Sequence, residues 1–253
     1  MSGDPANTPA ADRRGGAGPA LHLSVRDLAC RRSGRLIFGG LGFDLGQGDA
    51  LLVTGRNGAG KSTLLAILAG RLRAAAGRIA LSGAGEATLP ERLHWIAHRD
   101  GLKTALSARE NLAFAAAMLG EARLAPDDAL ERVGLPHVVD MPVAYLSAGQ
   151  RRRVALARLL VAHRPIWLLD EPTSALDAAS QQTLYELMRE HRAAGGIIIA
   201  ATHLPLPLDG AQSLAIAAPQ PGSQAQGAAA APDWDDWEIG DVSRASAGRR
   251  DDP

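Results

Sequence analysis

Near the start of the chain, apolar and polar residues alternate as in strands. Further along, apolar residues recur at the longer spacing of helices. Alternation at residues 21–25 and 41–45 predicts strands with one buried face, and a short apolar run at 36–38 predicts another. A continuous apolar run at 51–53 then precedes a helical pattern at 63–69, which ends at a glycine. The pattern therefore predicts a small antiparallel sheet ahead of a strand–loop–helix unit.

Downstream, strand and helix patterns follow one another. Ser107 and Glu110 form a capping-box pattern that opens one helix, and Pro126 and Gly134 bound the next. Strands are predicted at 78–81, 93–97, 166–171, 197–201 and 214–216, and helices at 111–119, 127–133, 151–162 and 179–193. We therefore predict the α/β class, with a mixed-sheet core, an N-terminal antiparallel β part and a helical insertion at about 101–162.

The two ends of the chain differ in composition from the middle. Residues 1–20 are rich in Gly, Pro, Ala and Asp, and residues 218–253 combine Gln, Gly, Ala and Pro with charges. Such compositions are typical of disorder, so we predict a disordered lead and tail around one domain at 21–217. An acidic stretch with Trp234 and Trp237 in the tail fits a docking motif, but we favour a plain disordered tail.

Composition narrows the possible partners and compartment. The formal net charge is zero, so we expect no nucleic-acid partner. The single cysteine, Cys30, excludes a disulfide framework within the chain and suits a reducing compartment. No apolar run approaches the roughly 18 residues of a membrane span, and Arg13 and Arg14 are not followed by the apolar segment of an export signal. Any membrane association is therefore expected to be through a partner.

The loop after the apolar run at 51–53 reads Gly-x-x-x-x-Gly-Lys-Ser, the P-loop pattern. Its glycines let backbone N–H groups surround phosphates, and the helix N-terminus adds a positive end. Lys61 would reach the β and γ phosphates of ATP, and Ser62 would bind Mg²⁺. Lys61 is one of two lysines among 27 basic residues, which indicates a need for an ammonium group. The predicted nucleotide-binding residues here are Gly55, Arg56, Asn57, Gly58, Ala59, Gly60, Lys61, Ser62 and Thr63.

Two further strands end in polar residues suited to phosphoryl chemistry. Asp170 and Glu171 close the strand at 166–171, where Asp170 suits a Mg²⁺ contact and Glu171 a general base for the attacking water. His203 follows the strand at 197–201 and suits a γ-phosphate contact. The alternative for each is a strand end that simply turns polar at the surface.

Other polar groups are interpreted as structural. Three consecutive arginines at 151–153 are expected to form a solvated or interface face rather than a nucleic-acid patch. The remaining histidines have no metal-ligand spacing, and the chain has no Cys-x-x-Cys-His pattern for covalent haem. These histidines are His22, His94, His137, His163 and His191.

The order of the motifs resembles that of the nucleotide-binding subunits of ABC transporters, over roughly residues 21–217. After the P-loop come Leu-Ser-Ala-Gly-Gln at 146–150, Leu-Leu-Asp-Glu-Pro at 168–172, Ser-Ala-Leu-Asp at 174–177 and Thr-His at 202–203. The first of these resembles the ABC signature, with Ala148 in place of a glycine; the added methyl leaves the backbone N–H available. A P-loop NTPase of the ABC ATPase fold is therefore implied.

A narrower resemblance is to the ATP-binding subunit of the cytochrome c maturation transporter, the haem-exporter or CcmA type. Residues 95–103 place His98 where most ABC ATPases carry a glutamine. A neutral imidazole there accepts a hydrogen bond from water, whereas an imidazolium does not. Segments 29–31, 110–112, 164–167 and 202–206 also resemble this family. The adenine-stacking aromatic residue expected near 30–33 is missing, and Arg31 or Arg32 is the substitute considered.

The resemblance implies a head-to-tail homodimer in which each ATP lies between Lys61 of one copy and Ser147 of the other. Gly149 and Gln150 complete the signature contact, and Asp177 couples the two sites. A membrane permease subunit of the cytochrome c maturation system would dock near residues 98–106 and the helical insertion. The chain would lie on the cytoplasmic face of the bacterial inner membrane as a peripheral protein, without binding haem directly.

Three alternatives remain at this point. The shared motifs do not identify the cargo, so the chain could serve an exporter of drugs, lipids or another cofactor. A soluble ABC protein acting on ribosomes or DNA is disfavoured, because those proteins carry two cassettes or a long coiled-coil insertion. A module that holds ATP without hydrolysis is disfavoured by intact Lys61, Asp170, Glu171 and His203.

Overall fold

The computed structural model describes residues 20–217, so most of the predicted lead and the whole predicted tail lie outside the described residues. The predicted α/β class with an antiparallel part is confirmed: strands form a three-stranded antiparallel sheet and a five-stranded parallel sheet. In chain order the elements are β1 (His22–Arg32), β2 (Arg35–Gly46), β3 (Ala50–Thr54), α1 (Lys61–Leu68), β4 (Ala76–Ser82), β5 (Leu93–Ile96), α2 (Ala108–Leu119), α3 (Pro126–Arg132), α4 (Ala148–Val161), β6 (Ile166–Asp170), α5 (Ala178–Ala193), β7 (Ile197–Ala201) and β8 (Gln212–Ala215).

The antiparallel sheet has the order β2-β1-β4 and differs from the prediction in its strand lengths. The two strands predicted at 36–38 and 41–45 are one continuous strand, β2, and β1 runs on well past residue 25. The register of β1 shifts beyond Val25, where Asp27 has a φ of +49°. A bulge of this kind interrupts the alternation of apolar and polar residues, so the strand predicted from that alternation ended too early. Ser33 and Gly34, both at positive φ, form the tight turn between the strands.

The parallel sheet has the order β5-β6-β7-β3-β8 and separates two apolar layers. Alternate residues of β6 point to opposite layers: Leu168 packs with α1 and the antiparallel sheet, and Leu169 packs with α2 to α5. The same alternation holds in β7, where Ile199 and Ile198 face opposite sides. Helix α1 therefore lies between the two sheets, which fixes the loop at its N-terminus.

The region at 101–162 contains α2, α3 and α4, which pack on one another. The predicted capping box of α2 is confirmed, because Ser107 Oγ accepts from Glu110 N at 3.1 Å and Glu110 Oε2 accepts from Ser107 N at 2.8 Å. Pro126 occupies the first position of α3, as predicted. Within the described residues, no helix is long and apolar enough to cross a membrane.

Two of the histidines interpreted as structural are buried in the core. His94 Nε2 lies 2.9 Å from the carbonyl oxygen of Ala162, and the His191 ring stacks on Trp167 at 3.9 Å between centroids. A Cβ on Gly196 would lie 2.2 Å from His191 Nε2, so this position has room only for glycine. Burial lowers the pKa of both histidines to about 4.

These histidines predict an acid-sensitive stability. Unfolded histidine binds a proton below its ordinary pKa of 6.5, whereas the folded groups remain neutral down to about 4. The unfolded state therefore binds more protons in this window, and the free energy of unfolding falls as pH is lowered from 6.5 towards 4. Each histidine should account for about 2 kcal/mol between pH 6.5 and 5. Urea unfolding at pH 7.5 and 5.0 measures this loss. His94→Gln should reduce the loss and exposed His137→Gln should not; equal losses in all three proteins would contradict the assignment.

Candidate active site

The predicted phosphate and carboxylate residues lie at one edge of the parallel sheet. Neighbouring strands β3, β7 and β6 all end there, because they are parallel. Asp170 pairs with Ala201, and Thr202 N donates to the carbonyl oxygen of Val53 at 3.2 Å. The P-loop, His203 and the two carboxylates therefore follow three adjacent strands. In α/β sheets, ligands bind outside this carboxyl edge.

The P-loop conformation depends on its glycines. Gly55 and Gly60 have φ values of +140° and +111°, a region that favours glycine. A Cβ on Gly55 would lie 2.6 Å from the carbonyl oxygen of Ile216, and one on Gly60 would lie 2.8 Å from Ile37 and 2.9 Å from Phe38. The loop is thus packed between β2 and the residue after β8, and side chains larger than hydrogen are excluded there.

Lys61 lies inside the loop that precedes it. Its side chain is buried, with 7% exposure, and Nζ donates to the carbonyl oxygen of Gly55 at 2.9 Å and to that of Arg56 at 3.5 Å. Ser62, the next residue, is exposed in the first turn of α1. The first N–H groups of a helix have no intrahelical acceptor, so this turn offers donors and a positive dipole end to an anion. The loop fits the phosphate chain of a nucleotide.

Glu171 and His203 are brought together at the neighbouring strand ends. His203 Nδ1 lies 2.8 Å from Glu171 Oε2, and the two side chains are 58% and 17% exposed, respectively. Glu171 N donates to the carbonyl oxygen of Ala201 at 2.8 Å. Glu171 also has a φ of +45°, a costly conformation for a residue with a side chain. The contacts with His203 and Ala201 thus orient this carboxylate, as a positioned base requires.

Asp170 and Ser62 are the two residues predicted to hold Mg²⁺. The Asp170 side chain is buried at the end of β6. Ser62 is exposed in the first turn of α1, after the P-loop that follows β3. The described residues contain no group of three or more His, Cys, Asp or Glu side chains that could hold a metal. One carboxylate and one hydroxyl suit an ion that takes its other ligands from water and substrate phosphates, as Mg²⁺ does.

The Leu-Ser-Ala-Gly-Gln segment forms the start of α4. Ser147 Oγ accepts from Gln150 N at 3.2 Å, and Gln150 Oε1 accepts from Ser147 N at 2.8 Å. A Cβ on Gly149 would lie 2.9 Å from the carbonyl oxygen of Ala175, which explains the glycine. Ser147 is exposed, and across residues 20–217 no hydrogen bond joins this segment to the P-loop. One copy of the chain does not bring these two groups together.

Among the described residues, the side chains of Asp177 and His98 form no hydrogen bond with the P-loop, Glu171 or His203. Asp177 caps α5 by accepting from Ser180 N at 2.8 Å, and hydrogen bonds from the Ser180 side chain and then from this N–H lower the pKa of its carboxyl group. His98 is exposed in the loop after β5, and its side chain forms no hydrogen bond with any described residue. The structure therefore leaves His98 available to solvent or a ligand.

The prediction for the three arginines is wrong for Arg152, which is buried with 3% exposure. Its guanidinium donates to the carbonyl oxygens of Asp170 and Glu171, each at 2.8 Å. A signal was present in the sequence: Ala155, Leu156 and Leu159 follow Arg152 at helical spacing and are buried on the same face of α4. The sequence-based prediction gave more weight to the charge of Arg152 than to its position on this buried face of the helix.

The chain resembles proteins of ABC transporters in both its sequence and its fold. Residues 38–174 match the ABC transporter family. The chain is 54% identical over 201 residues to the cytochrome c biogenesis ATP-binding export protein CcmA of Chelativorans sp. (strain BNC1), covering 78% of this chain and 99% of that protein. It is 55% identical over 190 residues to the CcmA protein of Bradyrhizobium diazoefficiens, covering 75% of this chain and 95% of that protein.

Solved structures with the same fold include ATP-binding proteins of ABC systems. A putative ABC transporter ATP-binding protein from Pyrococcus furiosus has a TM-score of 0.67 and 24% identity, covering 77% of this chain and 97% of the other. A bacterial Atm1-family ABC exporter with ATP bound has a TM-score of 0.67 and 26% identity, covering 78% of this chain and 37% of the exporter.

Proposed function

Because the chain belongs to the ABC transporter family, in the group of cytochrome c biogenesis ATP-binding export proteins, we propose that it hydrolyses ATP to drive the haem-export-type membrane complex of c-type cytochrome biogenesis. The observation that carries the catalytic part is the 2.8 Å contact between Glu171 and His203 at the strand edge that also bears the P-loop. A nucleotide-holding module without turnover would have no need of a positioned carboxylate there.

The proposed chemistry assigns each residue one task. The P-loop N–H groups and Lys61 bind the phosphates. Ser62 and Asp170 would hold Mg²⁺, which would neutralise phosphate charge. Glu171 accepts the proton of the attacking water. His203 directs its Nδ1 proton at Glu171; the opposite Nε2 accepts in the neutral ring and donates to a phosphate in the protonated ring.

We propose that the complete site forms between two copies of the chain. The P-loop lacks a hydrogen bond to the signature segment throughout residues 20–217, and Ser147 is exposed. In a head-to-tail homodimer, Ser147, Gly149 and Gln150 of one copy would face the nucleotide on Lys61 of the other. Asp177, exposed at the start of α5, would couple the two sites across the interface.

The proposed docking surface for the membrane permease consists of Phe114 and Met118 on α2. These side chains are 47% and 70% exposed, and they are one helical turn apart. Lys103 Nζ lies 4.7 Å from the Phe114 ring centroid, so the surface adjoins the loop at 98–106. Asn111 orders that loop by donating to the carbonyl oxygens of Lys103, Leu106 and Ser107. Exposed apolar side chains beside an ordered loop suit a protein partner.

We propose that the chain is a peripheral subunit on the cytoplasmic face of the bacterial inner membrane, with one ATP-binding domain at residues 21–217. We propose that haem is handled by the membrane subunits and not bound by this chain. A tagged chain should recover a cytochrome c maturation permease subunit from solubilised membranes, in an amount that depends on ATP.

The recovery should fall at least about tenfold when Phe114 and Met118 are both changed to Ala, because aromatic and methionine anchors dominate such interfaces. Leu124→Ala is the matched control, since this side chain is also exposed but lies outside the docking surface. Immunoblotting of the recovered permease measures the effect. Recovery of a permease for another cargo would contradict the pathway assignment and leave the ATPase assignment intact.

A further inference from the structure

Arg152 joins three segments of the candidate active site. It belongs to α4, the helix that the signature segment opens, and its guanidinium reaches both the end of β6 and the loop after β5. We infer that Arg152 is a positioning residue for ATP hydrolysis, which sets the backbone of Glu171 and ties it to the loop that carries His98. This inference rests on the proposed function.

The contacts on the carboxylate side fix Glu171 from both directions. Arg152 Nη2 donates to the carbonyl oxygens of Asp170 and Glu171, each at 2.8 Å. On the other side of the residue, Glu171 N donates to Ala201. A residue at a φ of +45° relaxes unless its surroundings hold it there. The hydrogen bond from Arg152 helps to stabilise this backbone conformation, and so directs the Glu171 carboxylate towards His203.

The contacts on the loop side use the other nitrogen of the same planar group. Arg152 Nη1 donates to the carbonyl oxygen of Ala97 and to Asp100 Oδ1, both at 2.9 Å. These two acceptors flank His98 in sequence, and Asp100 balances the buried positive charge. A guanidinium holds donors in a rigid fork, whereas a lysine ammonium is a single point on a flexible stem. Only an arginine therefore binds both segments at once.

Arg152 forms no hydrogen bond with the P-loop in the described part of the chain; its hydrogen bonds go to Ala97, Asp100, Asp170 and Glu171. Changing it should therefore affect the hydrolytic step and leave nucleotide binding in place. In kinetic terms, kcat should fall while KM for ATP stays near the wild-type value.

The test uses the full-length chain and compares Arg152→Lys with Arg153→Met. Arg152→Lys keeps the charge but not the fork, and kcat should fall about 10- to 100-fold with KM changed less than about twofold. Arg153 is the matched control: it is the next residue of α4 and also donates to two carbonyl oxygens, those of Val133 and Gly134, away from the carboxylates. Arg153→Met should lower the melting temperature while kcat stays near wild type. Wild-type kcat in Arg152→Lys, or an equal fall in both variants, would overturn the inference.

Two further variants separate this inference from the proposed function. If Arg152 acts through Glu171, then Arg152→Lys should add no loss of kcat in a Glu171→Gln background, because the two changes share one target. A further full loss in the double variant would overturn the inference. Wild-type turnover in Glu171→Gln alone would instead overturn the proposed function. Should Arg152→Lys fail to fold, Asp100→Asn weakens the loop contact alone and should give a smaller fall in kcat at unchanged KM; an unchanged kcat would overturn the inference.

Discussion

Changing Glu171 to Gln should lower ATP turnover by about 10²- to 10⁴-fold, the range that a positioned general base contributes. Glutamine has nearly the same shape but takes up no proton from the attacking water. The backbone contacts that fix this residue, to Ala201 and Arg152, remain in the variant. The loss should therefore appear in kcat, with ATP binding retained. Phosphate release at saturating ATP, with ATP affinity measured separately, is the appropriate assay.

A control for this experiment is Glu186→Gln, which changes an exposed carboxylate on α5 that accepts a hydrogen bond from Gln182. Its turnover should equal that of the wild type. Unchanged turnover in Glu171→Gln would remove Glu171 as the base. A loss of ATP affinity in place of turnover would show that the carboxylate acts in binding.

Changing Lys61 to Ala should weaken ATP binding by about 10- to 100-fold, because a hydrogen bond to a charged group contributes about 1.5–3 kcal/mol. The buried ammonium also organises the loop through the carbonyl oxygens of Gly55 and Arg56. Its loss therefore removes a phosphate ligand and loosens the loop at the same time. Equilibrium titration with a fluorescent ATP analogue measures the affinity.

Lys103→Ala is the control for Lys61→Ala, since Lys103 is the other lysine of the chain and lies over Phe114, away from the P-loop. Its ATP affinity should match the wild type. Equal affinities for wild type and Lys61→Ala would contradict the phosphate-binding role of the loop.

The motifs were readable from the sequence because each has a local physical cause. The Ser107 capping box and the glycine-rich turn before Lys61 need only neighbouring residues to be recognised. The sequence placed Glu171 and His203 at the ends of two strands but did not predict their contact. The contact needs the strand order, because β6 and β7 are neighbours and parallel in the sheet.

The features that sequence reasoning missed depend on distant contacts. The side chains of Ile37 and Phe38 close over Gly60, which no local pattern indicates. Arg152 is buried because its acceptors, at residues 97–100 and 170–171, are brought to α4 by the fold. The irregular register of β1 likewise hid the true length of the hairpin. Tertiary partners decided each of these cases.

The most direct test of the central claim is the amount of covalently bound haem in c-type cytochromes of cells that depend on this chain. Cells with the wild-type chain should assemble c-type cytochromes. Cells with Glu171→Gln at equal protein level should lose most of that haem signal, because the permease would be bound but not driven. Normal c-type cytochrome content with Glu171→Gln would contradict the account.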